Sequence, residues 1–311
     1  MAQIGMFDGT QKFKIDKPIR LIEIFAGVGS QSKALQRLGA DFESWYVCEF
    51  DKYAMASYNA IHGTNYPTSD VTQITAKDLN IIDTDKYIYI LTYSFPCTDL
   101  SIAGQQKGMK KGSGTRSGLL WEVERLLDEC DELPQVLLME NVPQVHSEDN
   151  IDDFNAWLRK LESLGYKNYY KDLNSKDFGI PQNRNRTFCV SILGDYYYEF
   201  PDPIPLKLKL KDLLEPTVDE KYYISEKATE KLITCSQTVN VERERERERS
   251  VIQLEQGAEQ VLTDTVGILL SKQATQIDKT ISIANTLMAR DYKGFGNQGM
   301  NGVLEIGKEK I

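Results

Sequence analysis

The sequence predicts an α/β protein with a doubly wound, mostly parallel sheet and a smaller irregular region after residue 200. Strand-like and helix-like segments alternate through residues 20–193, as in chains built from repeated strand–helix–strand units. The segment KYIYILTYS (86–94) is rich in β-branched and aromatic residues, which suits a buried strand. A glycine-containing turn, FAGVGS (25–30), joins the first strand to the first helix. Sheets of this kind bind ligands beyond the carboxyl ends of their strands.

The predicted elements follow one another in a regular order. Strands are expected at 20–25, 44–49, 86–94, 135–140, 166–173 and 187–193. Helices are expected at 30–38, from residue 51 onward, at 118–130 and at 151–164. The segment DPIP (202–205) marks a boundary that divides residues 1–200 from residues 201–311.

Composition narrows the class of protein. The chain has no apolar run long enough to span a membrane, and no secretory signal is visible at its N-terminus. Its five cysteines form no CxxC pair and it has two histidines, so we expect free thiols in a reducing cytoplasm and no metal site. The net charge of −9 is unfavourable for phosphate contacts, but residues 105–116 carry four cations and no anion.

The glycine turn is the first candidate binding feature. Gly27 and Gly29 allow the backbone to turn tightly and to approach a ligand at a helix N-terminus. Ser32 stands where a dinucleotide fingerprint has its third glycine, so a nicotinamide or flavin site has weak support. The alternative interpretation is a plain tight turn between strand and helix.

Two acids and an aromatic residue extend this candidate site. Glu49 ends the second strand, where doubly wound folds place a carboxylate for ribose hydroxyls; the alternative is an acid in the first turn of a surface helix. Phe50 is placed to lie against an adenine ring. Asp70 is expected to end a further strand and to accept from an amino group, or else to be a turn residue.

Cys97 and Glu140 are the candidate reactive residues. Each lies at the end of an apolar strand, so both side chains emerge at one edge of the sheet if the strands are neighbours. A thiolate is a competent nucleophile, and a carboxyl group that closes a buried strand is costly unless it is paired or functional. Together they predict a catalytic pair, while an inert core cysteine is the alternative for Cys97 alone.

Arg184 and Arg186 precede the last predicted strand. Alternate residues of an extended segment point the same way, so the two guanidinium groups are suited to orient a carboxylate or to hold a polar ring. The alternative is a solvent-facing strand edge guarded by charges.

Taken together, five segments resemble the cytosine-C5 DNA methyltransferases of bacteria and phages. They are IEIFAGVGS (22–30), YSFPCTDLS (93–101) with the following GQQKG (104–108), SGLLWE (117–122), MENV (139–142) and FGIPQNRNR (178–186). They occur in the order of that family, and residues 91–122 are most similar to its CpG-methylating branch. The resemblance implies a Rossmann-like methyltransferase domain over 1–200 and a target-recognition region over 201–311, truncated at its C-terminal end.

The resemblance also implies a role for each candidate residue. Nine residues would bind S-adenosylmethionine, with Glu49 on ribose and Leu119 on the methionine side: Phe25, Gly27, Gly29, Glu49, Phe50, Asp70, Val71, Pro96 and Leu119. Cys97 would add to cytosine C6, and Glu140 would hydrogen-bond N3 and the exocyclic amine. Arg184 and Arg186 would steady the base and Glu140. No metal takes part.

Further expectations concern the partner and the remaining segments. Residues 101–116 would form a mobile loop that closes over a cytosine flipped out of double-stranded DNA. The region after residue 200, which ends near 286–292, would read base edges for restriction-modification or phage DNA protection, in the cytoplasm of a bacterial or phage-infected cell. The run ERERERER (242–249) is expected to be a solvated hairpin or loop, with an arginine face against phosphates as the alternative.

Two departures from the family bear on activity. Thr98 stands where the family usually has Gln after the catalytic Cys, which is a mild change. The Arg-rich helix motif and the closing segment that normally follow the recognition region are not found. A second polypeptide that supplies these motifs is therefore one expectation. A catalytically silent DNA-binding remnant and an RNA cytosine-C5 methyltransferase are the alternative functions, and the intact Cys97 and Glu140 favour retained chemistry.

Overall fold

A mixed six-stranded sheet with helices packed on it forms the centre of the described structure, a computed structural model that describes residues 11–100, 108–217, 219 and 284–285. The predicted α/β fold class is confirmed. The described residues up to Leu208, with 284–285, belong to one compact unit, and those from Lys209 belong to a second. The predicted division at residue 200 into a catalytic and a recognition region stays a prediction.

The described chain contains ten strands, five α-helices and four 3₁₀ turns. The strands are β1 (Gln11–Lys12), β2 (Ile19–Ile24), β3 (Phe42–Cys48), β4 (Ile88–Tyr93), β5 (Val136–Asn141), β6 (Tyr166–Asn174), β7 (Gln182–Asn183), β8 (Asn185–Leu193), β9 (Tyr196–Tyr197) and β10 (Ala284–Asn285). The helices are α1 (Ser30–Leu38), α2 (Lys52–His62), α3 (Ala76–Leu79), α4 (Leu120–Glu129) and α5 (Ile151–Ser163). The 3₁₀ turns are Ser117–Leu119, Pro143–His146, Ser175–Asp177 and Leu210–Leu213.

The order of strands in the central sheet is β3-β2-β4-β5-β8-β6. Strands β2, β3, β4 and β5 are parallel, whereas β8 runs antiparallel to both of its neighbours. The carboxyl ends of the four parallel strands therefore meet at one edge. Two short parallel pairs, β1 with β9 and β7 with β10, lie outside this sheet.

The core explains why these segments form strands and helices. All six residues of β4 are buried, as expected for a central strand covered on both faces. On one face, apolar residues of α4 and α5 pack against the sheet, and Trp157 and Tyr93 lie at the centre with no exposed surface. The indole N–H of Trp157 donates to the Tyr93 hydroxyl at 3.0 Å, so this polar pair is satisfied inside the core.

Element boundaries agree with the prediction within a few residues, with one correction. Helix α1 has the predicted bounds, and Asp51 caps α2 by accepting from the backbone N–H groups of Tyr53 and Ala54 at 2.7 and 2.9 Å. The strand expected to end at Asp70 is wrong, because residues 64–70 form no regular element. Asp70 is a turn residue, whose Oδ1 accepts from the backbone N–H of Thr72 at 2.9 Å.

Some predictions lie outside the described residues. They concern the loop segment 101–107, the charged run 242–249 and the recognition-region end 286–292. Across 11–100 and 108–217, no helix is both long enough and apolar enough to cross a membrane.

Replacing Tyr93 with Phe tests the buried indole–hydroxyl pair. The variant keeps the ring but leaves the Trp157 N–H without its acceptor in the core. We expect the free energy of unfolding to fall by about 1–3 kcal/mol, the cost of an unsatisfied buried donor. The measurement is equilibrium urea unfolding. Tyr170→Phe is the control, since Tyr170 is 45% exposed, and an equal loss in both variants would contradict the assignment.

Candidate active site

The candidate site begins at the turn after β2. Phe25, Gly27 and Gly29 all have positive φ, at 58°, 57° and 75°, so the backbone turns through three left-handed residues before α1. A Cβ added at Gly29 would lie 2.3 Å from His62 Nε2 and 2.5 Å from the Tyr58 ring, whereas one added at Gly27 would meet nothing within 4 Å. The turn is therefore pressed against α2 at Gly29 and open at Gly27.

Glu49 ties this turn to the start of α2. Its Oε2 accepts from the backbone N–H of Gly27 at 2.8 Å, and its Oε1 accepts from that of Asp51 at 2.7 Å. A carboxylate has about four acceptor positions, so Glu49 can still accept from hydroxyl groups of a ligand. The next residue in the sequence, Phe50, has an aromatic ring and is 72% exposed.

A buried acid that the sequence analysis did not single out, Glu23, links the start of α1 to α2. Glu23, the next-to-last residue of β2, has no exposed surface. It accepts from the Tyr58 hydroxyl at 2.7 Å and from the backbone N–H of Ser32 at 3.2 Å. Burial raises the pKa of the Glu23 carboxyl, and these hydrogen bonds oppose that effect. His62 completes the support, with Nε2 3.1 Å from the Val28 carbonyl oxygen. The signal for Glu23 was an acid inside the apolar strand RLIEIF.

The reactive end is built on β5 and the start of β8, where Arg184 precedes the strand and Arg186 lies within it. Glu140 Oε1 lies 3.3 Å from Arg184 Nη2 and 3.2 Å from Arg186 Nε, so both arginines share one carboxylate oxygen. The Glu140 side chain is 18% exposed, which strengthens these ion pairs relative to a surface pair. The guanidinium groups of Arg184 and Arg186 thus both form ion pairs with Glu140.

Cys97 lies in the turn that follows β4 and is half-buried. Burial first, and then the neighbouring Arg184, lower the pKa of Arg186, whereas Glu140 and Cys97 act in the opposite direction. Asn141, the residue after Glu140, donates from Nδ2 to the Phe95 carbonyl oxygen at 3.0 Å, so the turn that carries Cys97 lies beside the end of β5. The structure brings the thiol, the acid and the arginine pair into one neighbourhood.

A cavity of about 650 Å³ connects the glycine turn with the reactive end. Of the predicted residues, Phe25, Gly27, Glu140 and Arg184 line it. Its remaining lining is mostly apolar and comes from β2, β4, β5, β8 and α1, including Leu21, Ile90, Leu138 and Phe188. The cavity thus borders part of the predicted cofactor end, at Phe25 and Gly27, and part of the predicted reactive end, at Glu140 and Arg184.

The other predicted residues do not line this cavity. Val71 is buried, and its carbonyl oxygen accepts from Arg125 Nη2 at 3.0 Å. Leu119 ends the 3₁₀ turn before α4, and the Pro96 carbonyl oxygen accepts from the Ser117 hydroxyl at 2.6 Å. Gly29, Glu49, Phe50, Asp70, Cys97 and Arg186 also lie outside the lining.

The residues present fit a nucleoside cofactor. An open backbone turn at Gly27, an acceptor at Glu49 and an exposed aromatic ring at Phe50 are the features that such a ligand requires. No cluster of three or more His, Cys, Asp or Glu side chains within the described ranges could hold a metal ion.

Comparisons with known proteins agree with this geometry. Residues 19–292 match the family model described as C-5 cytosine-specific DNA methylase. The chain is 38% identical to the orphan methyltransferase M.SssI of Spiroplasma monobiae, over 66% of this chain and 67% of that protein. It is 36% identical to the type II methyltransferase M2.ScrFI of Lactococcus lactis subsp. cremoris, over 66% of this chain and 70% of that protein.

A solved structure shows the same fold. The Dnmt2 methyltransferase of S. pombe has a TM-score of 0.53 and 21% identity, covering 69% of this chain and 65% of that chain. The chain spans from 52% to 70% of the length of the curated relatives that it matches. These matches confirm the resemblance inferred from the five motifs.

Substituting Gly29 with Ala tests whether the turn must stay pressed against α2. The added Cβ meets His62 and Tyr58, so we expect lower stability and weaker S-adenosylmethionine binding. Gly39→Ala is the matched control: its φ is also positive, at 65°, but a Cβ there meets nothing within 4 Å. Left-handed strain alone costs about 1 kcal/mol. Thermal unfolding and calorimetric titration with the cofactor should show the larger loss for Gly29→Ala, and equal losses would contradict the contact.

Removing the Glu23 charge tests the raised pKa of this buried acid. A carboxyl whose pKa rises on folding binds its proton more tightly in the folded state, so it destabilises the fold as pH rises from its ordinary value of 4.5 through the raised value. Glu23→Gln lacks this titration. Urea unfolding across this pH window should show the wild type losing stability relative to the variant as pH rises. A difference that is independent of pH would be inconsistent with the raised pKa.

Proposed function

Because this chain belongs to the C-5 cytosine-specific DNA methylase family, we propose that it transfers a methyl group from S-adenosylmethionine to C5 of cytosine in DNA. The observation that supports this most is the cluster of Glu140, Arg184 and Arg186 beside the Cys97 turn. A cavity lined by Glu140 and Arg184 at one end and by Phe25 and Gly27 at the other supports placing the base and the cofactor next to each other.

The reaction begins with Cys97. Its sulfur forms a bond to C6 of cytosine, and the electron pair of the C5–C6 bond moves so that C5 becomes nucleophilic. Glu140 hydrogen-bonds N3 and the exocyclic amine, which relieves the charge that develops on the ring. Both arginines hold the Glu140 oxygen, which fixes the direction in which this carboxyl group points.

S-adenosylmethionine supplies the methyl group that C5 accepts. The proton on C5 then leaves to a base, and the C6–sulfur bond breaks to restore the aromatic ring and the thiolate of Cys97. Phe25, Gly27 and Gly29 would shape the pocket for this cofactor, and Glu49 would accept from its ribose hydroxyls. Phe50, Asp70, Val71, Pro96 and Leu119 would surround the adenine and methionine parts.

The substrate we propose is cytosine flipped out of double-stranded DNA, because the thiol must reach C6, which base stacking covers. Matching relatives are named as type II and orphan methyltransferases, which supports DNA modification as the biological role. The region after residue 200 would read the target sequence. CpG as the target and a second polypeptide as partner stay predictions from the sequence.

Covalent trapping tests this proposal. DNA that carries 5-fluorocytosine blocks the loss of the C5 substituent, so an enzyme that uses Cys97 stays attached to it. We expect the wild type, given S-adenosylmethionine, to form an adduct that survives denaturing electrophoresis. Cys97→Ala should form none, and Glu140→Gln should form it about 10²–10⁴-fold more slowly.

Cys130→Ala is the matched control, since Cys130 is also half-buried and burial raises the pKa of its thiol to about 11. It should react like the wild type. An adduct on 5-fluorocytosine RNA of the same sequence, with none on DNA, would identify an RNA substrate instead. No adduct on either polymer would contradict methyl transfer by this chain and leave a DNA-binding role.

A further inference from the structure

A closed ring of hydrogen bonds lies behind the Cys97 turn. The Ser117 hydroxyl donates to the Pro96 carbonyl oxygen at 2.6 Å and accepts from the backbone N–H of Asp99 at 3.3 Å. The backbone N–H of Ser117 donates in turn to Asp99 Oδ2 at 3.2 Å. Pro96 and Asp99 flank Cys97 on its two sides, so the ring encloses the turn that carries the thiol.

The ring is buried, so breaking one of its hydrogen bonds is costly. Ser117 has no exposed surface and Asp99 is 7% exposed. Asp99 takes part in none of the ion pairs formed among the described residues. Its carboxylate is therefore satisfied there by hydrogen bonding rather than by a cation. A buried polar group that loses its partner costs about 1–3 kcal/mol, so each member of the ring keeps the others in place.

The ring also joins the Cys97 turn to other parts of the site. Ser117 begins the 3₁₀ turn that ends at Leu119, the residue predicted to contact the methionine part of the cofactor. The Asp99 carbonyl oxygen accepts from the backbone N–H of Gly108 at 3.0 Å. On the β5 side, Asn141 Nδ2 donates to the Phe95 carbonyl oxygen at 3.0 Å, which links the turn to the neighbour of Glu140.

We propose that Asp99 and Ser117 are positioning residues for the Cys97 nucleophile. They hold the thiol at a fixed place relative to Glu140 and to the cofactor side of the cavity, without contacting the base themselves. The inference deepens the proposed function and rests on it. Misplacing a reactive group by about 1 Å can cost about 10²-fold in rate, so the loss of either member is expected to affect chemistry more than binding.

The test compares variants that break the ring with variants that keep it. Ser117→Ala removes the hydroxyl, and Asp99→Ala removes the acceptor of the Ser117 N–H. Asp99→Asn has the same shape and keeps an oxygen for that N–H. Ser163→Ala is the control, because the Ser163 hydroxyl is exposed at the end of α5 and donates only to the Lys160 carbonyl oxygen in the described structure.

The first readout is the rate of adduct formation on 5-fluorocytosine DNA at saturating DNA and S-adenosylmethionine, with both affinities measured separately. Ser117→Ala and Asp99→Ala should form the adduct about 10²-fold more slowly, with little change in either affinity. Asp99→Asn and Ser163→Ala should stay close to the wild type. A wild-type rate in Ser117→Ala, or equal slowing in Asp99→Asn and Asp99→Ala, would overturn the positioning role.

The second readout separates positioning from a general loss of folding and needs no methyl transfer. Iodoacetamide alkylation of Cys97, followed by peptide mass spectrometry with Cys130 as internal reference, should become severalfold faster in Ser117→Ala because the turn is released. Adduct formation slows in the same variant, so the two rates move in opposite directions. If Cys97 and Cys130 both react faster, the variant has merely loosened the fold and the inference fails.

These two readouts distinguish the inference from the proposed function. If the wild type forms no adduct, the proposed methyl transfer fails, and the alkylation of Cys97 alone then decides whether the ring holds the turn. If the wild type forms the adduct and the ring variants match it in both readouts, the proposed function stands and the positioning role is wrong.

Discussion

The site depends on the parallel register of three adjacent strands. Ile24, Tyr93 and Met139 are paired across β2, β4 and β5, so the residue after each emerges at the same level of the sheet edge. Those residues are Phe25, Ser94 and Glu140, and all three line the same cavity. A shift of one residue in any strand would turn its side chains to the opposite face. The register therefore brings the proposed cofactor turn, the start of the proposed nucleophile turn and Glu140 together at one edge of the sheet.

Charge then defines the reactive end. One carboxylate with two guanidinium groups leaves a net positive cluster, and the lowered pKa of Arg186 reflects its burial and the proximity of Arg184. A surplus positive charge at this place favours a base on which negative charge develops. The acidic body of the protein, with a net charge of −9, does not prevent this, because electrostatic interactions at short range in a partly buried cleft exceed those of distant screened charges.

Local patterns in the sequence were sufficient for the sheet and the glycine turn, whereas the pairing of Glu140 with two arginines followed from the family resemblance. Apolar runs and alternation report burial and side-chain direction directly, so β4 and the segment before β8 could be predicted. Asp70 was assigned to a strand although residues 64–70 form none. The sequence of this polar segment does not show whether it pairs with a neighbouring strand. Glu23 with Tyr58, and Asp99 with Ser117, were missed because each pair joins residues 35 and 18 positions apart, and no local period encodes such a contact.

Those two missed pairs share a physical design. Each places a buried acid behind a turn that carries a proposed ligand contact, and each satisfies the acid with a hydroxyl or backbone N–H rather than with a close cation. Hydrogen bonds of this kind add little net stability, but an alternative geometry would leave a buried acceptor unsatisfied. Their effect is therefore to exclude other conformations of the turns. The proposed alignment of a thiol, a base and a methyl donor would need that exclusion more than additional stability. This need accounts for acids at positions where apolar residues would pack at lower cost.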